Sequence, residues 1–140
     1  MDTIFIKTHQ PGAHYAKPHF FVLSKGLNSG KPNNEAFTNS FVLVFQTEEQ
    51  KEDVYWIAMS LWKSKFWHQY LRGTVIPFIS LYEFKKEFNP RATSMIREHE
   101  LHKKNIQALK LLQEQENHHN KNIHLINELK NAIMMRYRRK

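Results

Sequence analysis

Apolar and polar positions change rhythm several times along this chain, and each change marks an element. Ile4 to Lys7 alternates weakly, the period of a half-buried strand, before His9-Gln10-Pro11-Gly12 breaks it as a turn. Pro18 to Leu23 reads as a second strand, its proline placed at the start, where a missing N–H costs least. Ser24 to Asn34 is a loop holding two glycines, a proline and three asparagines. Phe41 to Phe45 is an unbroken apolar run, which implies a central strand covered on both faces.

The rhythm then turns helical. Thr47-Glu48-Glu49-Gln50 is a capping box, and behind it Val54, Ile57, Ala58, Leu61, Trp62 and Phe66 recur at three- and four-residue spacing. That spacing predicts a helix to about Tyr70. Val75 to Ile79 is strand-like but interrupted by Pro77, so an edge strand or extended segment is expected. Ser80-Leu81-Tyr82-Glu83 repeats the capping box and opens a short helix ending before Asn89. Asn89-Pro90 then looks like a third start, an asparagine cap with proline at the first helical position.

After Pro90, through to Arg138, there is no glycine or proline. A continuous helix of that length would reach roughly 70 Å, more than so small a domain covers. Its apolar residues gather at Ile106, Leu109 and Leu112, and again at Ile123, Ile126, Leu129, Ile133 and Tyr137, with a wholly polar stretch from Gln113 to Asn122 between them. One long helix is expected, with a helical hairpin near 117–120 as the alternative. The fold class is α+β: a small mixed α/β domain over 1–89, with a three- to four-stranded sheet and a packed helix, then a long C-terminal helix over 90–140.

Composition narrows the chemistry. The 140 residues hold 18 aromatics, most of them ahead of the long helix, enough for a real core. With no cysteine, disulfides, thiolate zinc and cysteine nucleophiles are excluded. Met1-Asp2-Thr3-Ile4-Phe5 lacks the basic-then-apolar order of a signal peptide, so a cytoplasmic location is expected. The net charge of +8 is uneven: residues 1–90 carry 10 Lys/Arg against 8 Asp/Glu, residues 91–140 carry 11 against 5. Such an excess favours polyanions or acidic surfaces, although cations ending a helix also answer its dipole.

Gly26-Leu27-Asn28-Ser29-Gly30-Lys31 invites comparison with a phosphate-binding loop, but its spacing is one residue short and Pro32 stands where a hydroxyl should bind magnesium. His9, His14 and His19 are evenly spaced, yet they straddle a turn and a strand start rather than a rigid ligand set. Glu48, Glu49, Glu52 and Asp53 crowd the start of a helix, where the dipole explains them. No metal, cofactor or enzymatic activity is expected. What remains is a basic and aromatic surface: Lys7, His14, Tyr15, Lys17, Lys25 and Lys31 on the N-terminal turns, with Lys63, Lys65 and Arg72 after the central helix. Such residues can contact phosphates and stack on bases.

Gly73-Thr74-Val75-Ile76-Pro77-Phe78-Ile79-Ser80, followed by Leu81-Tyr82-Glu83-Phe84, resembles the end of a target recognition domain in type I restriction–modification specificity subunits. There a packed helix precedes the segment and a long helix follows it, as Val54–Tyr70 and Pro90–Arg138 do here. The resemblance implies a domain that reads duplex DNA and a helix that docks a methyltransferase subunit or a second such helix. This chain matches half of such a subunit, with a shorter N-terminal part. Over its whole length it is also similar to a group of short bacterial proteins of unknown function, through Lys7–Gly12, Pro18–Phe21, Ser29–Pro32 and Tyr70–Ile79.

The expectation is therefore a non-enzymatic DNA-binding or specificity-type module. It would dimerise or dock through Ile123, Ile126, Leu129, Ile133 and Tyr137. The alternative is a protein-interaction adaptor or inhibitor without DNA contact.

Overall fold

In the computed structural model, which describes residues 4–139, the apolar run at Phe41–Phe45 becomes an interior strand. Met1–Thr3, read above for a signal peptide, and Lys140, the last of the terminal cations, lie outside the described residues. The chain divides into two compact units, Met1–His102 and Lys103–Lys140, so the boundary expected at 89/90 falls later.

In the first unit, β1 (Phe5–Thr8), β2 (His19–Leu23), β3 (Pro32–Asn33) and β4 (Ser40–Val44) form one antiparallel sheet in the order β1-β4-β2-β3. Register is fixed by Ile6 opposite Leu43 and by Phe20 opposite Leu43 on the other side. Ile4, Ile6, Phe20, Val22, Phe41, Leu43 and Phe45 form one buried cluster with the helices, while Phe21 and Val42, of opposite parity, are buried as well. Burial on both faces is what the unbroken run of β4 implied. The second cover is the segment after β1: His9, Tyr15, His19 and Phe21 pack ring against ring, with centroids 4.9 to 6.2 Å apart. Two-residue β3, opened by Pro32, ends the sheet at an edge too short to recruit another strand.

Helix α1 (Glu48–Lys63) begins at Thr47, whose hydroxyl accepts the Gln50 N–H at 3.2 Å. The Gln50 side chain returns to the Gln46 N–H at 3.3 Å, one residue outside the expected box. The helix expected to reach Tyr70 stops at Lys63. Ser60 and Ser64 hydroxyls donate to the Trp56 and Leu61 carbonyls, Lys65 turns left-handed at φ 59°, and a 3-10 turn covers Phe66–Tyr70. That kink places Trp67 in the core, against Phe84.

Helix α2 (Leu81–Arg97) is capped by Ser80, as expected, but it runs straight through Asn89-Pro90. Phe84, Phe88 and Ala92 form one buried stripe at four-residue spacing across the proline. Burying two phenylalanines gains more than the roughly 3 kcal/mol an interior proline costs. The long helix α3 therefore spans His99–Arg136 instead of starting at Pro90. It is unbroken through 117–120, so the hairpin alternative does not occur.

Candidate nucleic-acid interface

The loop between β2 and β3 is built by its glycines. Gly26 and Gly30 sit at φ +93° and +98°, and reciprocal backbone bonds, Leu23 N–H to Lys31 O at 2.9 Å and Gly30 N–H to Leu23 O at 2.7 Å, close it as a hairpin. Ser29 is buried with its hydroxyl on the Gly26 carbonyl at 2.6 Å. Gly30 lies against the Trp67 indole, which binds this loop to the 3-10 turn. The loop's resemblance to a phosphate-binding loop thus stays one of composition: a strand follows it, and its amides close the hairpin.

Residues 72–78 form the next turn. Of the edge strand or extended segment expected here, only isolated bridges form: Phe78 pairs with Arg72 on one side and with Lys25 on the other. Arg72 and Phe78 exchange two backbone bonds of 2.8 Å, Gly26 N–H donates to Pro77 O at 2.6 Å, and Ile79 N–H to Ser24 O at 3.0 Å. Gly73, at φ +91°, has no room for a Cβ: one would stand 2.8 Å from the Ile76 carbonyl oxygen. Proline at 77 and the bridges on both flanks leave no hydrogen-bonded strand, only a stiff turn.

Five of the nine candidate contact residues share this region. Lys25 and Arg72 flank Phe78. Lys31 and Lys63 each hold an ammonium 5.2 Å from the Trp62 ring, within cation–π range, and Lys65 follows at the left-handed kink. Arg72 is paired with Glu83: its Nε lies 3.3 Å from Oε2 and its Nη2 donates to Oε1 at 3.5 Å. Among the described residues no carboxylate pairs with Lys25, Lys31, Lys63 or Lys65. Behind them the Arg91 guanidinium lies 4.2 Å over the Phe66 ring and 2.9 Å from Glu87. Partial burial, and then a hydrogen bond to the Glu87 carboxylate, push the Tyr70 hydroxyl above its ordinary pKa.

The other four candidates lie elsewhere. Lys7 sits 5.3 Å over the Tyr15 ring, Tyr15 Oη is 2.9 Å from His9 Nδ1, and His14 and Lys17 are exposed nearby. His19 Nδ1 lies 2.8 Å from the Lys17 carbonyl, which it meets as a donor. This group stands before β2 and Lys25 stands after it, so a strand of roughly 17 Å separates the two sets. A cleft of about 340 Å³ opens beside it, lined by Tyr15, Lys17, His19, Asn34, Glu48 and Lys51. Among the described residues, His9, His14 and His19 form no metal-ligating cluster.

In the second unit every residue from Leu111 to Arg139 is exposed. Ile123, Ile126, Leu129, Ile133 and Tyr137 are 53 to 85% accessible, as is Leu112 at 64%, and Leu111, Leu125, Met134 and Met135, not singled out by spacing, are open too. The sequence reading also missed the turn itself. Val75 is 90% and Ile76 62% exposed, with Leu27 and Phe78 beside them, because an apolar run between Gly73 and Pro77 reads as strand unless the two breakers are weighed together. Among the described residues no helix is long and apolar enough to cross a membrane.

A family model described as a family of unknown function (DUF6943) matches residues 6–136. Among curated proteins and among solved structures, none matches.

Proposed function

The chain belongs to DUF6943, and from its own surface we propose a non-enzymatic duplex-DNA-binding module that self-associates through α3. The observation that carries it is the set of Lys25, Lys31, Lys63, Lys65 and Arg72, which three separate segments bring to the linked turns around Phe78 and Trp62, with Arg72 paired to Glu83. Ammonium and guanidinium groups on turns are what phosphate oxygens take, and Trp62 behind two of them holds their stems in place. This is also the role that the resemblance to half of a type I specificity subunit implies, with a methyltransferase or similar subunit as a further partner. A DNA partner goes with a cytoplasmic location.

The α3 stripe supplies the association. Its isoleucines and leucine recur at three- and four-residue spacing, and a face of that kind is self-complementary about a two-fold axis. A second reading, an adaptor or inhibitor that captures a partner's helix and never touches DNA, is favoured by the same stripe alone.

Fluorescence anisotropy on a labelled duplex separates the two. The DNA reading expects binding at low salt, with a log–log slope of about −3 to −5 as several phosphates are neutralised. Lys25→Glu with Lys65→Glu should flatten that slope by about 2. No retention on any duplex at low salt overturns it and leaves the adaptor.

A further inference from the structure

We propose that the turn at 73–78 is an apolar wedge that enters the minor groove and unstacks a base step, an inference that rests on the DNA reading above. Val75 and Ile76 form the tip, 90% and 62% exposed, with Leu27 and Phe78 below them. Aliphatic side chains held this far into water gain nothing in the free protein, and the turn is not loose. Its neck is closed by the two 2.8 Å bonds between Arg72 and Phe78, tied to the neighbouring loop through Gly26 and Ser24, and stiffened by Pro77. Gly73 permits the tight bend, since any side chain there would meet the Ile76 carbonyl.

The charge around the tip decides what it enters. Because Phe78 pairs with Arg72 on one flank and Lys25 on the other, the backbones of these two basic residues stand two strand spacings apart, about 10 Å, on either side of Phe78 at the neck of the turn, with Arg72 also paired to Glu83. A groove roughly 6 Å wide with a phosphate strand on each wall, opened at an unstacked base step, has that layout: anion, the apolar faces of the bases, anion. Architectural proteins that kink DNA use the same pairing of an apolar wedge with flanking cations. A bilayer offers phosphates over an apolar interior as well. However, a bilayer has no pair of walls to meet cations on two flanks of a narrow neck, and Val75 with Ile76 bury less hydrocarbon than one acyl chain, which by itself binds only marginally.

The test uses the full chain on a duplex carrying a donor–acceptor pair at its ends and 2-aminopurine at successive positions. Wild-type protein should shorten the end-to-end distance and raise 2-aminopurine emission at one step. Val75→Ser with Ile76→Ser, changes confined to exposed side chains, should abolish both signals and weaken binding about tenfold while leaving the salt slope intact. Duplex binding without bending or unstacking, or bending unchanged in the double variant, overturns the wedge and leaves the cationic patch standing. Failure of the wild type to bind any duplex overturns both. Flotation with phosphatidylserine–phosphatidylcholine vesicles that requires Val75 and Ile76, with no unstacking of DNA, assigns the turn to a membrane instead.

Discussion

Gly30 and Gly12 have similar backbones and opposite surroundings. Both lie in the left-handed region, at φ +98° and +85°, but a Cβ on Gly30 would stand 2.8 Å from Trp67 Cγ, whereas one on Gly12 meets nothing within 4 Å. Gly12→Ala should cost only the backbone term, about 1–2 kcal/mol. Gly30→Ala adds displacement of a buried indole and should cost roughly 2–5 kcal/mol in all. Urea unfolding of the two variants measures the difference, and equal midpoints would mean that the loop and the 3-10 turn are not packed as described. The sequence marks both glycines as loop residues. It cannot mark which one touches a tryptophan 37 positions away, since that contact depends on the kink at Lys65.

Elements were readable where a single physical signal dominated. Thr47 and Ser80 hydroxyls cap α1 and α2 where expected, and the unbroken run of Phe41 to Phe45 marks an interior strand. Reading failed where two signals competed. Asn89-Pro90 has the chemistry of a helix start, but Phe84, Phe88 and Ala92 need one continuous turn register to share the core, and packing won. Pro90→Ala should therefore restore a backbone hydrogen bond within α2 and stabilise the first unit by about 1–3 kcal/mol, read as a raised urea midpoint with unchanged slope. A loss of stability would show the proline to be a tolerated part of the packing. At 73–78 the apolar residues suggested a strand, while Gly73 and Pro77 forbade the ladder. The nine candidate contacts were legible as residue types but not as two separate groups, because only the pairing around Phe78 and the packing of Tyr15 over the sheet sort them.

At the scale of the molecule, the two units meet different physical demands. The first has an interior of its own, with Trp67, Phe84 and Phe88 fully buried. The second is a single helical segment whose large apolar side chains from Leu111 onward stand in water, which is the stripe proposed above as an association surface. Self-association through it is the central claim, since a module working on DNA through one small patch gains affinity when two copies act on the same duplex. Light scattering across a dilution series tests this most directly, on the wild type beside Ile126→Asp with Leu129→Asp. The account expects twice the mass of one chain for the wild type, falling to a single chain in the variant, with the unfolding midpoint of the first unit unchanged. A wild-type particle with the mass of one chain at every concentration would contradict it.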